Sequence, residues 1–102
     1  IEKRVTLAAE ADFVICFYNP KSKKRADYLE KACRMILQYR SPNTPCGYVK
    51  NIGRDGEKGI ISTLEQIGKI SEIDMFTTVF IGNSETKIVN GKMVTPRGYI
   101  GV

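Results

Sequence analysis

The feature that most constrains this chain is an unbroken apolar run over residues 13–18, which ends at Asn19 and Pro20. The run is too short for an ordinary globular helix, and its β-branched and aromatic side chains favour a strand buried on both faces. Asn and Pro predict a turn, and Ser22 is a suitable N-cap for a following helix. The sequence therefore predicts a strand, a turn and a helix in this segment.

The helix that follows has the clearest pattern in the chain. From Ser22 to about Arg40, apolar residues recur at i, i+3, i+4 and i+7, and Glu30 with Arg34 forms an i, i+4 pair on the opposite side. The apolar positions are Leu29, Ala32, Cys33 and Ile36. Turn residues at 41–45 end this helix, and residues 46–52 are predicted to form a second strand. The result is a β-α-β unit, whose two strands are expected to be parallel neighbours with a right-handed connection.

The rest of the chain alternates in the same way. We predict a helix over residues 2–11, a turn over 53–57 and a third strand over 58–62. The spacing from Thr63 to Gln66 is that of a capping box, which predicts a short helix from Leu64 to about Ile70. Residues 75–81 are predicted to form a strand, and Asn90-Gly91 predicts a type I′ hairpin between residues 86–89 and 92–95. These elements together indicate a compact α/β domain with a mixed sheet.

The composition argues against general-base catalysis by histidine and against a metal site. The 102 residues are 42% hydrophobic and 26% charged, as in an ordinary globular domain, and they contain no histidine. Without histidine the chain lacks a conventional general base near neutral pH and an imidazole metal ligand. The three cysteines, Cys16, Cys33 and Cys46, form no CxxC pair and are interpreted as buried free thiols, so we expect no metal site and a reducing, cytoplasmic compartment. Because the chain begins at Ile1 in what reads as a helix already under way, we expect it to be one domain of a longer protein.

Four segments carry a family resemblance. Residues 11–22 (ADFVICFYNPKS), 51–57 (NIGRDGE), 74–84 (DMFTTVFIGNS) and 92–99 (KMVTPRGY) occur in the order and composition typical of the precorrin-3B (cobalt-factor III) C17-methyltransferases. The chain thus resembles the C-terminal half of these enzymes, which belong to the tetrapyrrole methylases of cobalamin biosynthesis. The resemblance extends over nearly the whole chain.

The resemblance implies a two-domain, homodimeric enzyme that binds S-adenosylmethionine between its halves and methylates C17 of a corrin precursor with ring contraction. It also implies a three-layer-type domain whose mixed, about five-stranded sheet is flanked by helices. The N-terminal half is absent from this chain, and no catalytic residue can be assigned. By position in the family's motifs, the candidate cofactor-binding residues are Phe17, Tyr18, Asn19, Asn51, Thr77 and Thr78.

Each of these residues also has a purely structural interpretation. Tyr18 and Asn19 would otherwise be a strand end and a helix-entry turn, Asn51 would cap a loop, and the two threonines would be ordinary strand residues. An adenosine moiety needs a flat apolar slot and a few uncharged hydrogen-bonding groups, which these side chains can supply. Methyl transfer from a sulfonium depends chiefly on positioning, so a site without a strong acid or base is compatible with it.

The basic residues leave a second function open. The net charge is +5 and the isoelectric point is about 9.2, with a cluster at Lys21, Lys23, Lys24 and Arg25. Because corrin precursors carry many carboxylates, Lys23, Arg25 and Arg54 are the candidate substrate-binding residues. A solvated surface run is the structural alternative for the cluster, and a loop pair with Glu57 or a role at a domain or subunit interface is the alternative for Arg54. The competing function is a small basic module that binds nucleic acid or another polyanion without catalysis, although no known nucleic-acid-binding motif is present. A third possibility is that the hairpin pairs edge to edge in a homodimer.

Overall fold

The computed structural model describes residues 2–18, 28–53 and 55–96. Within these ranges the chain forms three helices and six strands. The helices are α1 (Glu2–Glu10), α2 (Tyr28–Ile36) and α3 (Leu64–Ile67). The strands are β1 (Ile15–Tyr18), β2 (Pro45–Lys50), β3 (Lys58–Thr63), β4 (Thr77–Ile81), β5 (Lys87–Val89) and β6 (Lys92–Val94).

The main sheet has four strands in the order β1-β4-β2-β3, and every paired neighbour is antiparallel. Since β1 and β2 both run antiparallel to β4, they are parallel to each other, as the β-α-β pattern predicted. They are not neighbours, because β4 lies between them. The α/β class is confirmed, but the described sheet has four antiparallel strands where a mixed sheet of about five was expected. Although β4 comes later in the chain, this strongly apolar strand lies between β1 and β2 and pairs with both.

Helices cover one face of this sheet. Alternate residues of the strands point to that face, among them Phe17, Tyr48 and Val79, and they share a continuous core with α1, α2 and α3. The four apolar positions predicted for α2 are all buried, and the Glu30–Arg34 ion pair is present at 3.2 Å. The predicted start of α2 at Ser22 lies outside the described residues. The described helices all lie on this one face. In place of the expected third layer of helices, the β5–β6 hairpin lies on part of the other face.

The first strand differs from its prediction. Phe13 is 64% exposed and precedes the strand, and Cys16 is exposed although a buried thiol was expected. Only Phe17 is buried, and it points toward the helices. The reason is that β1 lies at the edge of the described sheet and has helices on one side alone, so a run that suits burial on both faces is buried on one.

The capping box at α3 does not form. Thr63 makes no side-chain hydrogen bond to the helix, and the helix ends at Ile67 instead of near Ile70. The first two helical N–H groups donate instead to loop carbonyls, from Leu64 to Thr44 at 2.9 Å and from Glu65 to Pro42 at 3.1 Å. Carbonyl groups of the loop between α2 and β2 therefore accept N–H groups of the first turn, as a capping side chain would have done.

The predicted hairpin is confirmed. Asn90 and Gly91 have φ values of 50° and 75°, as a type I′ turn requires. This hairpin, β5–β6, lies over the face of the main sheet that the helices leave open. A Cβ atom added to Gly47 would lie 3.2 Å from Met93 Sδ, so a glycine at this point of β2 permits the close approach.

Arg40 links three chain segments at the end of the sheet where β1 begins. Arg40 is buried, and its guanidinium donates to the carbonyls of Ala8, Phe13 and Gly82. Burial lowers the pKa of Arg40, although Asp12 opposes that effect. Asp12 itself accepts hydrogen bonds from the backbone N–H and the hydroxyl of Ser84. The α1–β1 loop is thereby attached to the residues that follow β4.

Candidate functional site

The described candidate cofactor residues lie at the opposite end of the sheet. There β1 ends at Tyr18, β2 ends at Lys50 and β4 begins at Thr77. In the sheet register, Thr78 lies between Tyr18 on one side and Val49 on the other. The positions selected by the family resemblance on three separate strands are therefore close to one another in the fold.

The predicted cofactor-binding residues of β1 and β4 lie on both faces of the main sheet. Side chains alternate along a strand, so Tyr18 and Thr78 point away from the helices, whereas Phe17 and Thr77 point toward them. We call the side away from the helices the open face. On the main strands its described residues are Cys16, Tyr18, Pro45, Gly47, Val49, Gly59, Ile61, Thr63, Thr78 and Phe80.

On the open face, Tyr18 is 75% exposed, while Thr78 is 8% exposed and lies in the floor between its neighbours. A hydrogen bond with the Cys16 side chain raises the pKa of Tyr18, which keeps the phenol neutral. The two residues thus offer an uncharged aromatic ring beside a hydroxyl.

Phe17 and Thr77 are positioned for packing. Phe17 is 7% exposed and makes an edge-to-face contact with Tyr28, with ring centroids 6.0 Å apart. Thr77 is 1% exposed and its hydroxyl donates to Asp74 Oδ1 at 3.0 Å. Their side chains lie in the helix-covered layer, so any contact with a ligand on the open face would be made by their neighbours.

Asn51 continues the edge beyond β2. Its N–H donates to the Phe76 carbonyl at 3.1 Å, which extends the β2–β4 ladder by one residue pair. Asn51 has a φ of 56°, in the left-handed region that Asn tolerates better than most residues. By the alternation of β4, Phe76 shares the open face with Thr78. The alternation does not extend to Asn51, because its backbone is not extended, and its Nδ2 lies toward the following turn, 3.8 Å from the position of a Cβ added to Gly56. Phe76 is half exposed at this point, and sequence reasoning missed it because residues 75–81 read as one uniform strand.

A polar cluster beneath the edge holds the loop over residues 72–76. Tyr48 donates a hydrogen bond to a carboxylate oxygen of Glu72, and Lys58 Nζ lies 3.3 Å from the other. Lys50 Nζ donates to the Glu72 carbonyl at 2.9 Å and lies 3.4 Å from Asp74 Oδ2. These groups point to the helix face, so they fix the loop from behind the candidate site.

The electrostatics of this cluster follow from its hydrogen bonds. The Tyr48 hydroxyl, followed by Lys58, lowers the pKa of Glu72. The Phe76 N–H lowers the pKa of Asp74. Burial, with the Glu72 carboxylate beside it, raises the pKa of Tyr48 to about 12. At neutral pH the cluster therefore contains two carboxylates and a neutral phenol.

The open face also holds an apolar groove. It has a volume of about 490 Å³ and lies between the main sheet and the hairpin. Its lining includes Val14, Gly47, Val49, Ile61, Phe80 and Met93. Among the described residues, the hairpin thus covers the part of the open face around Gly47, whereas Tyr18, beside Thr78, is exposed. We call the end of the sheet formed by Tyr18, Asn51, Phe76 and Thr78 the uncovered edge.

Several predicted residues lie outside the described part of the chain. Asn19, Lys23, Arg25 and Arg54 are among them, as are the other members of the basic cluster. Within residues 2–18, 28–53 and 55–96, no group of three or more His, Cys, Asp or Glu side chains could hold a metal ion. The described helices include none that is long and apolar enough to cross a membrane.

Curated proteins provide the functional context. The chain is 50% identical over 99 residues to a cobalt-factor III methyltransferase of Priestia megaterium, with 97% of this chain and 18% of the relative covered. It is 44% identical over 99 residues to a probable cobalt-factor III C(17)-methyltransferase of Salmonella typhimurium, with 97% of this chain and 41% of the relative covered. A precorrin-3B C(17)-methyltransferase of Sinorhizobium sp is 37% identical over 106 residues, with 99% of this chain and 41% of the relative covered. The chain therefore spans less than half the length of each of these relatives.

Solved structures agree with these sequences, whereas no protein-family model matches the chain. The methyltransferase CobJ superposes with a TM-score of 0.83 at 27% identity, over 93% of this chain and 39% of that one. A cobalt precorrin-4 methyltransferase, CbiF, has a TM-score of 0.63 at 16% identity, over 76% of this chain and 32% of that one, which shows a shared fold. The resemblance read from the four sequence segments is thus confirmed: this chain is homologous to a segment of the precorrin-3B and cobalt-factor III C17-methyltransferases.

Proposed function

We propose that this chain is the C-terminal, cofactor-binding half of an S-adenosylmethionine-dependent methyltransferase that methylates C17 of precorrin-3B or cobalt-factor III, with ring contraction, in cobalamin biosynthesis. The names of relatives that cover nearly the whole chain support the reaction. The observation that carries the site is the uncovered edge, where Tyr18 and Thr78 are paired on the open face and Asn51 follows the end of β2.

The side chains at this edge fit an adenosine moiety. Tyr18 offers an exposed aromatic surface, and Phe76 lies on the same face. Asn51 and Thr78 offer an amide and a hydroxyl, which can hydrogen-bond to a purine or a ribose without adding charge. S-adenosylmethionine, when bound, supplies the methyl group, and the role of these residues is to orient it. Phe17 and Thr77, in this proposal, act by holding the strands on which Tyr18 and Thr78 lie.

The same proposal extends to the partners. The other half of the enzyme, carried by the longer chain, would complete the cofactor cleft. Lys23, Arg25 and Arg54 would attract the carboxylates of the macrocycle. The hairpin presents exposed Ile88, Val89 and Val94, and it is the proposed contact between two copies in a homodimer. Its test is sedimentation of the complete polypeptide, where a monomer at all concentrations would remove the dimer. Three free cysteines agree with a cytoplasmic location.

The polyanion-binding alternative has no comparable support. The relatives are named as methyltransferases, and the basic cluster that suggested nucleic acid lies outside the described residues. We therefore propose the methyltransferase function alone.

A calorimetric titration tests the cofactor assignment. S-adenosylhomocysteine is titrated into the complete polypeptide that contains this chain, with the 102-residue chain in parallel. We expect saturable binding by the complete polypeptide and weak binding by the chain alone, since half of the cleft is missing. Thr78→Val should weaken binding roughly fivefold to tenfold, the cost of one lost hydrogen bond.

The matched control is Thr63→Val, on the same face at the far end of β3, where the hydroxyl does not cap α3. It should bind like the unmodified protein. An absence of binding by the folded complete polypeptide would refute the cofactor proposal. Equal affinities of Thr78→Val and Thr63→Val would remove Thr78 from the site.

A further inference from the structure

We propose that Lys50 and Asp74 are positioning residues for the uncovered edge: their ion pair on the helix face fixes the Phe76 backbone, and through it the Asn51 backbone beyond the end of β2. This inference rests on the proposed function for its ligand. It assigns a role to two charged residues that lie behind the edge and that no sequence pattern indicated.

Asp74 lies shortly before β4 and has three partners, Phe76, Thr77 and Lys50. Its Oδ1 accepts hydrogen bonds from the Phe76 N–H at 2.9 Å and from the Thr77 hydroxyl at 3.0 Å. Its Oδ2 lies 3.4 Å from Lys50 Nζ. One carboxylate therefore joins the end of β2 to the first residues of β4. The Thr77 hydroxyl also accepts from the Asp74 N–H at 3.1 Å, which closes the turn.

Lys50 holds the loop at a second point. Its ammonium group donates to the Glu72 carbonyl at 2.9 Å, and its side chain is only 20% exposed. Partial burial makes this interaction less subject to screening by water and salt than a surface pair. Lys50 is thus bonded to both Glu72 and Asp74, and the loop between them has little freedom relative to β2.

The consequence reaches the uncovered edge through the backbone. Phe76 receives its position from Asp74, and its carbonyl accepts the Asn51 N–H at 3.1 Å. Asn51 directly follows Lys50 and has a φ of 56°, in the left-handed region. Lys50 from the preceding residue and Asp74 through Phe76 therefore both constrain the Asn51 backbone.

Two other pockets of the described chain do not support a proposal. The pocket around Arg40 is formed by groups that already bond to one another and to loop carbonyls, and nothing in it indicates a ligand. The apolar groove under the hairpin has nothing that indicates its occupant. The Lys50–Asp74 pair differs because hydrogen bonds connect it to residues of the candidate site.

Variants of the pair separate positioning from stability. In the complete polypeptide, Asp74→Ala removes all three contacts, whereas Asp74→Asn keeps an oxygen for Phe76 and loses the ion pair. Lys50→Met loses the ion pair from the other side. We expect Asp74→Ala to weaken S-adenosylhomocysteine binding about fivefold or more. Smaller losses are expected for Asp74→Asn, which loses the ion pair, and for Lys50→Met, which also loses the hydrogen bond to the Glu72 carbonyl. Lys50→Arg, which keeps the charge, should recover most of the affinity.

Two controls make the result specific. Glu30→Gln breaks the ion pair with Arg34 on the exposed surface of α2 and should leave the affinity unchanged. Hydrogen exchange of the Asn51 amide, measured by NMR, reports on the bond to Phe76 without any ligand. That amide should exchange faster in Asp74→Ala, while the central β2 amides of Gly47 and Tyr48 keep their protection. A uniform loss of protection would instead indicate a general loss of stability and would contradict the proposal.

The outcomes distinguish the two proposals. If the unmodified protein does not bind S-adenosylhomocysteine, the proposed function fails, and the exchange of Asn51 alone decides the positioning role. If it binds and Lys50→Met and both Asp74 variants bind equally well, the positioning role is refuted while the function stands. If Asp74→Ala does not fold, Asp74→Asn and Lys50→Met give the same test.

Discussion

The two faces of the main sheet have different tasks although they are formed by the same strands. On the helix face, Tyr48, Val79 and Ile81 are buried in one core with three helices. On the open face, the hairpin covers the region around Gly47, and the uncovered edge leaves Tyr18 and Phe76 exposed. Apolar residues are thus used for stability on one side and remain available for contacts on the other. The difference suggests that substitutions on the two faces separate folding from ligand binding.

The largest difference is expected from truncating an apolar side chain on each face. Ile36 of α2 is fully buried, so Ile36→Ala should lower the free energy of unfolding by about 2–5 kcal/mol. Ile61 on the open face is partly exposed, so Ile61→Ala should cost about 1 kcal/mol or less. Chemical denaturation measures both. Equal losses would mean that the open face is part of the core.

A substitution at Gly47 tests how closely the hairpin is packed. A Cβ there would lie 3.1 Å from the Ile60 carbonyl oxygen and 3.2 Å from Met93 Sδ, so Gly47→Ala should cost roughly 1–3 kcal/mol. The neighbouring strand offers the control, since a Cβ at Gly59 would meet only Val49 Cγ2 at 3.9 Å. Gly59→Ala should be neutral or slightly stabilising. Met93→Ala combined with Gly47→Ala should recover part of the loss, and no recovery would show that the hairpin does not set the constraint.

Acidification should act on the loop behind the uncovered edge. The folded pKa values of Glu72 and Asp74 lie below their ordinary values of 4.5 and 3.8. Their contribution is therefore complete above about pH 4.5 and is lost as the pH falls through the folded pKa values. Tyr48→Phe removes the group that contributes most to the shift of Glu72, so its free energy of unfolding should fall less between pH 6 and pH 3 than that of the unmodified protein. A parallel decline in both proteins would contradict this cause.

The smallest effect on stability is expected at Asn51. Because Asn51 has a positive φ, Asn51→Gly should leave stability within about 1 kcal/mol of the original or raise it slightly. The same change removes the side-chain amide and should weaken S-adenosylhomocysteine binding in the complete polypeptide. Thermal unfolding and calorimetry on this one variant therefore compare the contribution of Asn51 to stability with its contribution to ligand binding. An unchanged affinity would assign Asn51 to the backbone alone.

Much of the local structure was predictable because local rules determine it. The periodicity of Leu29, Ala32, Cys33 and Ile36 identified α2, and Asn90-Gly91 identified the hairpin. The sheet order was not predictable in the same way. The insertion of β4 between β1 and β2 depends on pairings between residues far apart in sequence, and no local pattern encodes it.

The candidate site shows the same limit. The parallel direction of β1 and β2, which brings their ends to one edge, was predictable from the β-α-β pattern, whereas the place of β4 was not. The opposite directions of Thr77 and Thr78 required the register of β4. The exposure of Cys16 and Phe13 required the knowledge that β1 is an edge strand among the described residues. The Lys50–Asp74 pair was missed because its members are 24 residues apart and meet only in the folded chain.

The most direct test of the account is NMR mapping of S-adenosylhomocysteine on the complete polypeptide. The account predicts that the largest shifts within this chain occur at Tyr18, Asn51, Phe76 and Thr78, with small shifts at Gly47, Ile61 and Met93 under the hairpin. The helix-face residues Leu29 and Ile36 should not respond. Shifts concentrated under the hairpin or on the helix face would contradict the assignment of the uncovered edge as the ligand-binding part of this domain.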